Sequence, residues 1–193
     1  MDNTHRHRSA LHGRRARRRG PPPTRPDAAR TADPRSAEGE PHVGPLISAG
    51  IFTGVGLGGF VDGIVLHQLL QWHNMLSSKL PPDDLVSMKV NMMWDGMFHA
   101  LTWVMTVVGL TLLWHAARRG DVPWIGRVFV GGLLLGWGLF NFVEGLIDHH
   151  ILAIHHVHPG QDQLAWDLGF LASGLALLAL GGLLTRIRGR VSA

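Results

Sequence analysis

The chain has no cysteine among its 193 residues, which excludes disulfides, iron–sulfur clusters and thiolate zinc sites and leaves His, carboxylate and Met as the only protein ligands for any metal. Charge is also scarce: Asp, Glu, Lys and Arg make up 17% of the residues, and nearly all the basic ones lie outside the apolar stretches. Once those stretches are set aside, too little chain remains for a second globular domain. Four segments approach or exceed the ~20 residues needed to cross a bilayer: Leu46 to Trp72, Trp94 to His115, Trp124 to Ile147 and Leu164 to Thr185. The fold class expected is therefore all-α, an integral membrane four-helix bundle over residues 45–186.

Residues 1–44 are rich in Arg and Pro, with Arg14, Arg15, Arg17, Arg18 and Arg19 in a tight group, and hold too little apolar surface to offset the entropy of ordering. They read as a disordered basic tail, with a second basic tail at 187–193. Leu46 to Trp72 is too long for the apolar core of a signal peptide and lacks a small-residue cleavage pattern, so it is expected to stay as the first span. Arg beside a membrane attracts anionic lipid, and nucleic acid is not an expected partner. Arg118, Arg119 and Arg127 in the second loop and Arg186, Arg188 and Arg190 at the C-terminus fall on the same side as the tail, whereas Lys79 and Lys89 on the other side face Asp83, Asp84 and Asp162. The positive-inside rule then places both termini in the cytoplasm of a cell-membrane protein.

Glycines recur at helical spacing, Gly50, Gly54 and Gly58 in the first span and Gly132 and Gly136 in the third, as expected where helices approach closely in lipid. No longer repeat is expected in the membrane region.

The chemistry lies in polar residues within or at the ends of the spans. Asp62, His67 and His73 are assigned to the first helix, Asp95 and His99 to the second, Glu144, Asp148, His149, His155 and His156 to the third, and Asp167 to the fourth. Ionisable groups in hydrocarbon cost several kcal/mol each. With a rise of ~1.5 Å per residue, Asp62, His67, Asp95, His99, Glu144, Asp148 and Asp167 all fall about 7 to 18 Å outward of the bilayer centre. Asp95 and His99, Glu144 and Asp148, and Asp148 and His155 share helical faces, whereas His67 and His149 sit well round from those stripes unless the helices bend or end early. Taken singly, His73, His156 and His158 fit wetted interfacial histidines. Five carboxylates in one layer with no Lys or Arg among them require a cation, bound protons or an aqueous pocket.

Bundles build metal sites from inward-facing His and carboxylate. The expected metal ligands are Asp62, His67, Asp95, His99, Glu144, Asp148, His149 and His155, holding zinc, iron or manganese, with Asp62 or Asp95 as an alternative orienting role. Met75, Met88, Met92, Met93 and Met97 keep copper in view, although such methionines usually fill space. A haem between His99 and His67 or His149 would leave the carboxylates unexplained.

The strings Gly58 to His73 (GGFVDGIVLHQLLQWH), Trp94 to His99 (WDGMFH) and Phe142 to Leu152 (FVEGLIDHHIL) resemble a bacterial family of predicted membrane proteins termed domain of unknown function 2243. The resemblance covers about Gly44 to Thr185. It implies a four-span membrane protein with Asp62, His67, Asp95, His99, Glu144, Asp148 and His149 as characteristic polar residues, and supplies no reaction. Three functional expectations follow: a metal-dependent oxidoreductase or hydrolase, a metal or proton transport or assembly protein, and a structural subunit. Partners expected are lipid, a metal ion, and another membrane protein or a second copy.

Overall fold

The computed structural model describes residues 42–186, so the two expected tails fall, but for Val43 and its neighbours at the start of the first helix, outside the described residues. Within them the chain is helical, without strands. Helix α1 (Gly44–Val61) continues as a π-helix over Asp62–Leu69, α2 spans Leu85–Ala117, α3 (Gly126–Glu144) continues as a π-helix over Gly145–Ile151, and α4 spans Gln163–Thr185. All four are long and apolar enough to cross a membrane. Exposed tryptophans mark both ends, Trp94 and Trp166 at one and Trp114 and Trp124 at the other. The 20 residues from Trp94 to Trp114 rise ~30 Å, the thickness of a hydrocarbon core, as expected of interfacial aromatic belts.

Helix α2 begins nine residues before the expected Trp94, because Asp84 caps it. Its carboxylate accepts from the Val86 and Ser87 N–H groups, and the Ser87 hydroxyl accepts in return from the Asp84 N–H.

The helices pack in series, α2 on α1, α1 on α3 and α3 on α4, with α2 and α4 as flanks. Backbone contact makes the central pair. A Cβ at Gly50 would fall 2.8 Å from the Gly132 Cα, and Cβ atoms at Gly54 and Gly136 would collide with the carbonyl oxygens of Leu133 and Ile51. Leu, Trp and Val side chains cover the outward faces of α2 and α4.

These contacts are reciprocal, which corrects the reading that no longer repeat exists. Gly54 touches Leu133 as Gly136 touches Ile51; Gly56 lies on Thr102 and Thr106 as Gly138 lies on Gly174 and Leu178; Gly109 lies on Thr53 as Gly181 lies on Leu135. The α1–α2 half and the α3–α4 half are thus two copies of one unit. Both run in the same sense, so the relating axis lies along the membrane normal. The sequence carries the same relation: Phe60-Val61-Asp62-Gly63 matches Phe142-Val143-Glu144-Gly145, His67 matches His149, His73 matches His155, and Trp94-Asp95 matches Trp166-Asp167.

A Gly54→Leu or Gly136→Leu substitution should overpack this interface by ~1–3 kcal/mol or more. A clear fall in the detergent melting temperature is expected for both, and almost none for Gly96→Ala, whose Cβ would meet open space.

Candidate metal centre

Each half delivers its polar residues in the same way. At Asp62 and at Gly145 the backbone changes from α to π hydrogen bonding, bonding i to i+5 rather than i+4. The wider turn brings residues five apart toward one face. His67 Nε2 consequently lies 3.1 Å from Asp62 Oδ2, an approach that an α-helical register would deny.

The π-helices stop at Leu69 and Ile151, and the chain leaves through Gln71 and Ala153, both at positive φ (52° and 47°). This corrects the expectation that His73 and His155 project from helical faces: both lie in the returning segments, folded back over the helix ends. His73 Nδ1 donates to the Val157 carbonyl at 2.9 Å, and His155 Nδ1 donates to the Met75 carbonyl at 3.1 Å. Val157 and Met75 are themselves corresponding residues, so the two returning segments clasp each other across the axis. The two imidazoles stack at 4.7 Å with planes 7° apart.

Two aspartates hold the segments in place. Asp95 accepts from His67 Nδ1 at 3.0 Å, from the Met75 N–H at 2.8 Å and from the Asn74 amide at 2.8 Å. Asp167 accepts from the Val157 N–H at 3.0 Å and from His156 at 2.7 Å, with His149 Nδ1 3.6 Å away. Phe98 stacks on His67 and Phe170 packs against His149. Burial drives the His73 imidazole down to about 4 and that of His155 down to about 3, with neighbouring imidazoles acting in the same sense. Both rings are therefore neutral at pH 7, with the proton on Nδ1 and the Nε2 lone pair free.

Six side chains remain with atoms that nothing satisfies. Asp62, Glu144, His67, His73, His149 and His155 are all 5% exposed or less. Both oxygens of each carboxylate and Nε2 of all four imidazoles lack a hydrogen-bond partner, as does Nδ1 of His149. Even His67 Nε2 and Asp62 Oδ2, 3.1 Å apart, do not form a hydrogen bond. Such groups cost ~1–3 kcal/mol each when left unpaired. They converge instead: His67, His73 and His155, then Glu144, His149 and His155, then Asp62, His67 and Glu144 form three interlocking triads, with donor atoms within 4.8 Å of one another in each.

Of the residues expected from sequence, Asp62, His67, Glu144, His149 and His155 join this set. Asp95 stands behind it, orienting His67. His99 lies outside it, its Nδ1 donating to the Asp95 carbonyl at 2.7 Å. Asp148 also lies outside, half-buried in a groove beside Glu144. His73 and Asp167 were not in the expected ligand set, yet each is the counterpart of a residue that was; aligning the two halves would have found them. His158 packs between Trp72 and Trp166, away from the set.

Residues 49–188 match a family described as predicted membrane protein, domain of unknown function 2243. The chain belongs to this family. The matched stretch begins five residues into α1 and contains all six converging residues. No curated protein and no solved structure matches the chain.

Asp95→Ala should leave His67 Nδ1, the Met75 N–H and the Asn74 amide without their acceptor, and Asp167→Ala should do the same at His156 and Val157. Hydrogen exchange followed by mass spectrometry should show faster exchange in 72–80 for the first and in 153–158 for the second. Unchanged protection at Met75 in Asp95→Ala would contradict the clasp.

Proposed function

We propose that this is a membrane metalloprotein whose four histidines and two carboxylates hold divalent transition-metal ions, with the site end of the bundle facing outward and both termini in the cytoplasm. One observation carries the proposal: every unsatisfied buried side-chain atom among the described residues belongs to these six residues. The donor set fits a metal in its details. His67, His73 and His155 each donate Nδ1–H to a carboxylate or backbone carbonyl, the arrangement that fixes a ligating imidazole and raises its basicity.

Charge favours two ions over one. Asp62, Asp95, Glu144 and Asp167 are buried with no Lys or Arg beside them, and a pair of divalent ions would balance four carboxylates. Six donors arranged in three triads also exceed what a tetrahedral site uses. Imidazole and carboxylate suit zinc, iron or manganese. Of the five methionines near this end, Met75 is buried but Met88, Met92, Met93 and Met97 are exposed rather than gathered on the set, which favours imidazole and carboxylate over thioether ligation.

The centre is read as catalytic, an oxidoreductase or hydrolase. When bound, such ions act as Lewis acids and activate water or another small ligand. The chain's own residues hold the imidazoles in one tautomer, and Phe98 and Phe170 shield them from lipid. A carrier would need a way onward through the bundle, whereas beyond the site α1 and α3 are in direct backbone contact from Gly54 to Gly50. That packing favours a resident centre.

Elemental analysis of detergent-purified protein should find close to two zinc, iron or manganese ions per chain. Glu144→Gln and His155→Ala should lower metal affinity by at least the ~10–100-fold typical of supporting residues, while His99→Ala should leave the content unchanged. Metal-free preparations that stay folded and cannot be loaded would overturn the proposal.

A further inference from the structure

The two halves differ where one of them opens to the side. Between α2 and α3 runs a groove of about 360 Å³, lined by Val55, Leu101, Leu139, Val143, Glu144 and Asp148, with Phe98 and Phe140 also on its wall. Its volume is at the lower end of the ~300–1,000 Å³ of small-molecule sites. On the opposite face the corresponding region is different. Trp137, the counterpart of Val55, lies over Gly58, and Leu66 replaces Asp148. The depression there, about 300 Å³, is lined only by apolar residues and does not reach Asp62.

The open groove has a polarity gradient. Val55, Leu101 and Leu139 lie toward the bilayer centre, and Glu144 and Asp148 lie toward the end marked by Trp94 and Trp166. Glu144 is 5% exposed and neither of its oxygens has a partner. Asp148 finds no hydrogen-bond donor among the described residues, although an unpaired carboxyl in hydrocarbon is expensive. A lipid tail alone would satisfy neither group.

Resting on the metal-centre reading, we propose that this groove binds a single-chain amphiphile from the membrane and presents its polar end to the centre. The chain lies along Leu101, Leu139 and Val143, and a hydrogen-bond-donating terminus such as a hydroxyl meets the half-buried Asp148, next to the buried Glu144. Glu144 belongs both to the groove and to the converging set, so it is the point at which substrate and centre meet. Asp148 then positions the polar end, a role for which Leu66 in the other half has no equivalent.

The test uses the full chain in lipid bilayers with a long-chain primary alcohol carrying a mid-chain diazirine, beside the matching alkane. Photolabelling by the alcohol should map to 98–101 and 139–148 and be competed by unlabelled long-chain alcohol. Val55→Trp, which copies the closed face, and Leu101→Trp, on an exposed position, should each cut this labelling about tenfold with metal content retained. Asp148→Leu should reduce labelling by the alcohol and spare that by the alkane. Labelling spread evenly over α2 and α4, or unchanged in both Trp variants, would overturn the groove. Localised labelling that the Trp variants abolish, in protein that takes up no metal, would support the groove and sink the metal-centre reading instead.

Discussion

Four imidazoles and two carboxylates, buried near the hydrocarbon boundary and turned toward one another with their facing atoms unpaired among the described residues, set the terms for the rest of this molecule. Unpaired polar groups are most costly where water is excluded. A chain that carries six of them at one point has to supply geometry that keeps them in place and a charge that compensates them. The π-helical turns, the left-handed residues Gln71 and Ala153, and the Asp95 and Asp167 anchors are all part of that geometry. None of these features is needed merely to cross a bilayer.

Duplication explains how so demanding a site is built from a short chain. One unit, a span ending in a π-turn followed by a returning segment and a second span, supplies a carboxylate and two histidines. Two units clasped about an axis supply all six, and the crossed hydrogen bonds of His73 and His155 tie each half's imidazole to the other half's backbone. Glycines at the axis let α1 and α3 approach until their backbones touch, which fixes the separation of Asp62 and Glu144. The departures from symmetry are then informative. Asp148, opposite Leu66, and Val55, opposite Trp137, both line the groove that reaches Glu144 on one face only.

The four spans and the gathering of polar residues at one end were legible from hydropathy and helical rise, because those depend on composition and direction alone. Asp62, His67, Glu144, His149 and His155 were legible as candidates for the same reason. What an ideal α-helix conceals is the change of pitch: His67 and His149 seem to point away from Asp62 and Glu144 until the backbone widens to i+5 bonding. His73 and His155 were placed on helices that in fact end before them, since nothing in a non-glycine Gln71 or Ala153 announces positive φ. Asp95 was legible both as a ligand and as an orienting group, and its oxygens accept from His67, the Met75 N–H and the Asn74 amide. His99 shares a face with Asp95, but its Nδ1 is spent on its own helix.

The most direct test is X-ray absorption spectroscopy of the loaded protein at the metal edge. A shell of nitrogen and oxygen neighbours with the outer scattering of several imidazoles, together with a nearby second metal, is the result predicted by a paired centre built on His67, His73, His149 and His155. A sulfur shell would move the metal to the methionines, and a spectrum without imidazole scattering would contradict the assignment of the six converging residues.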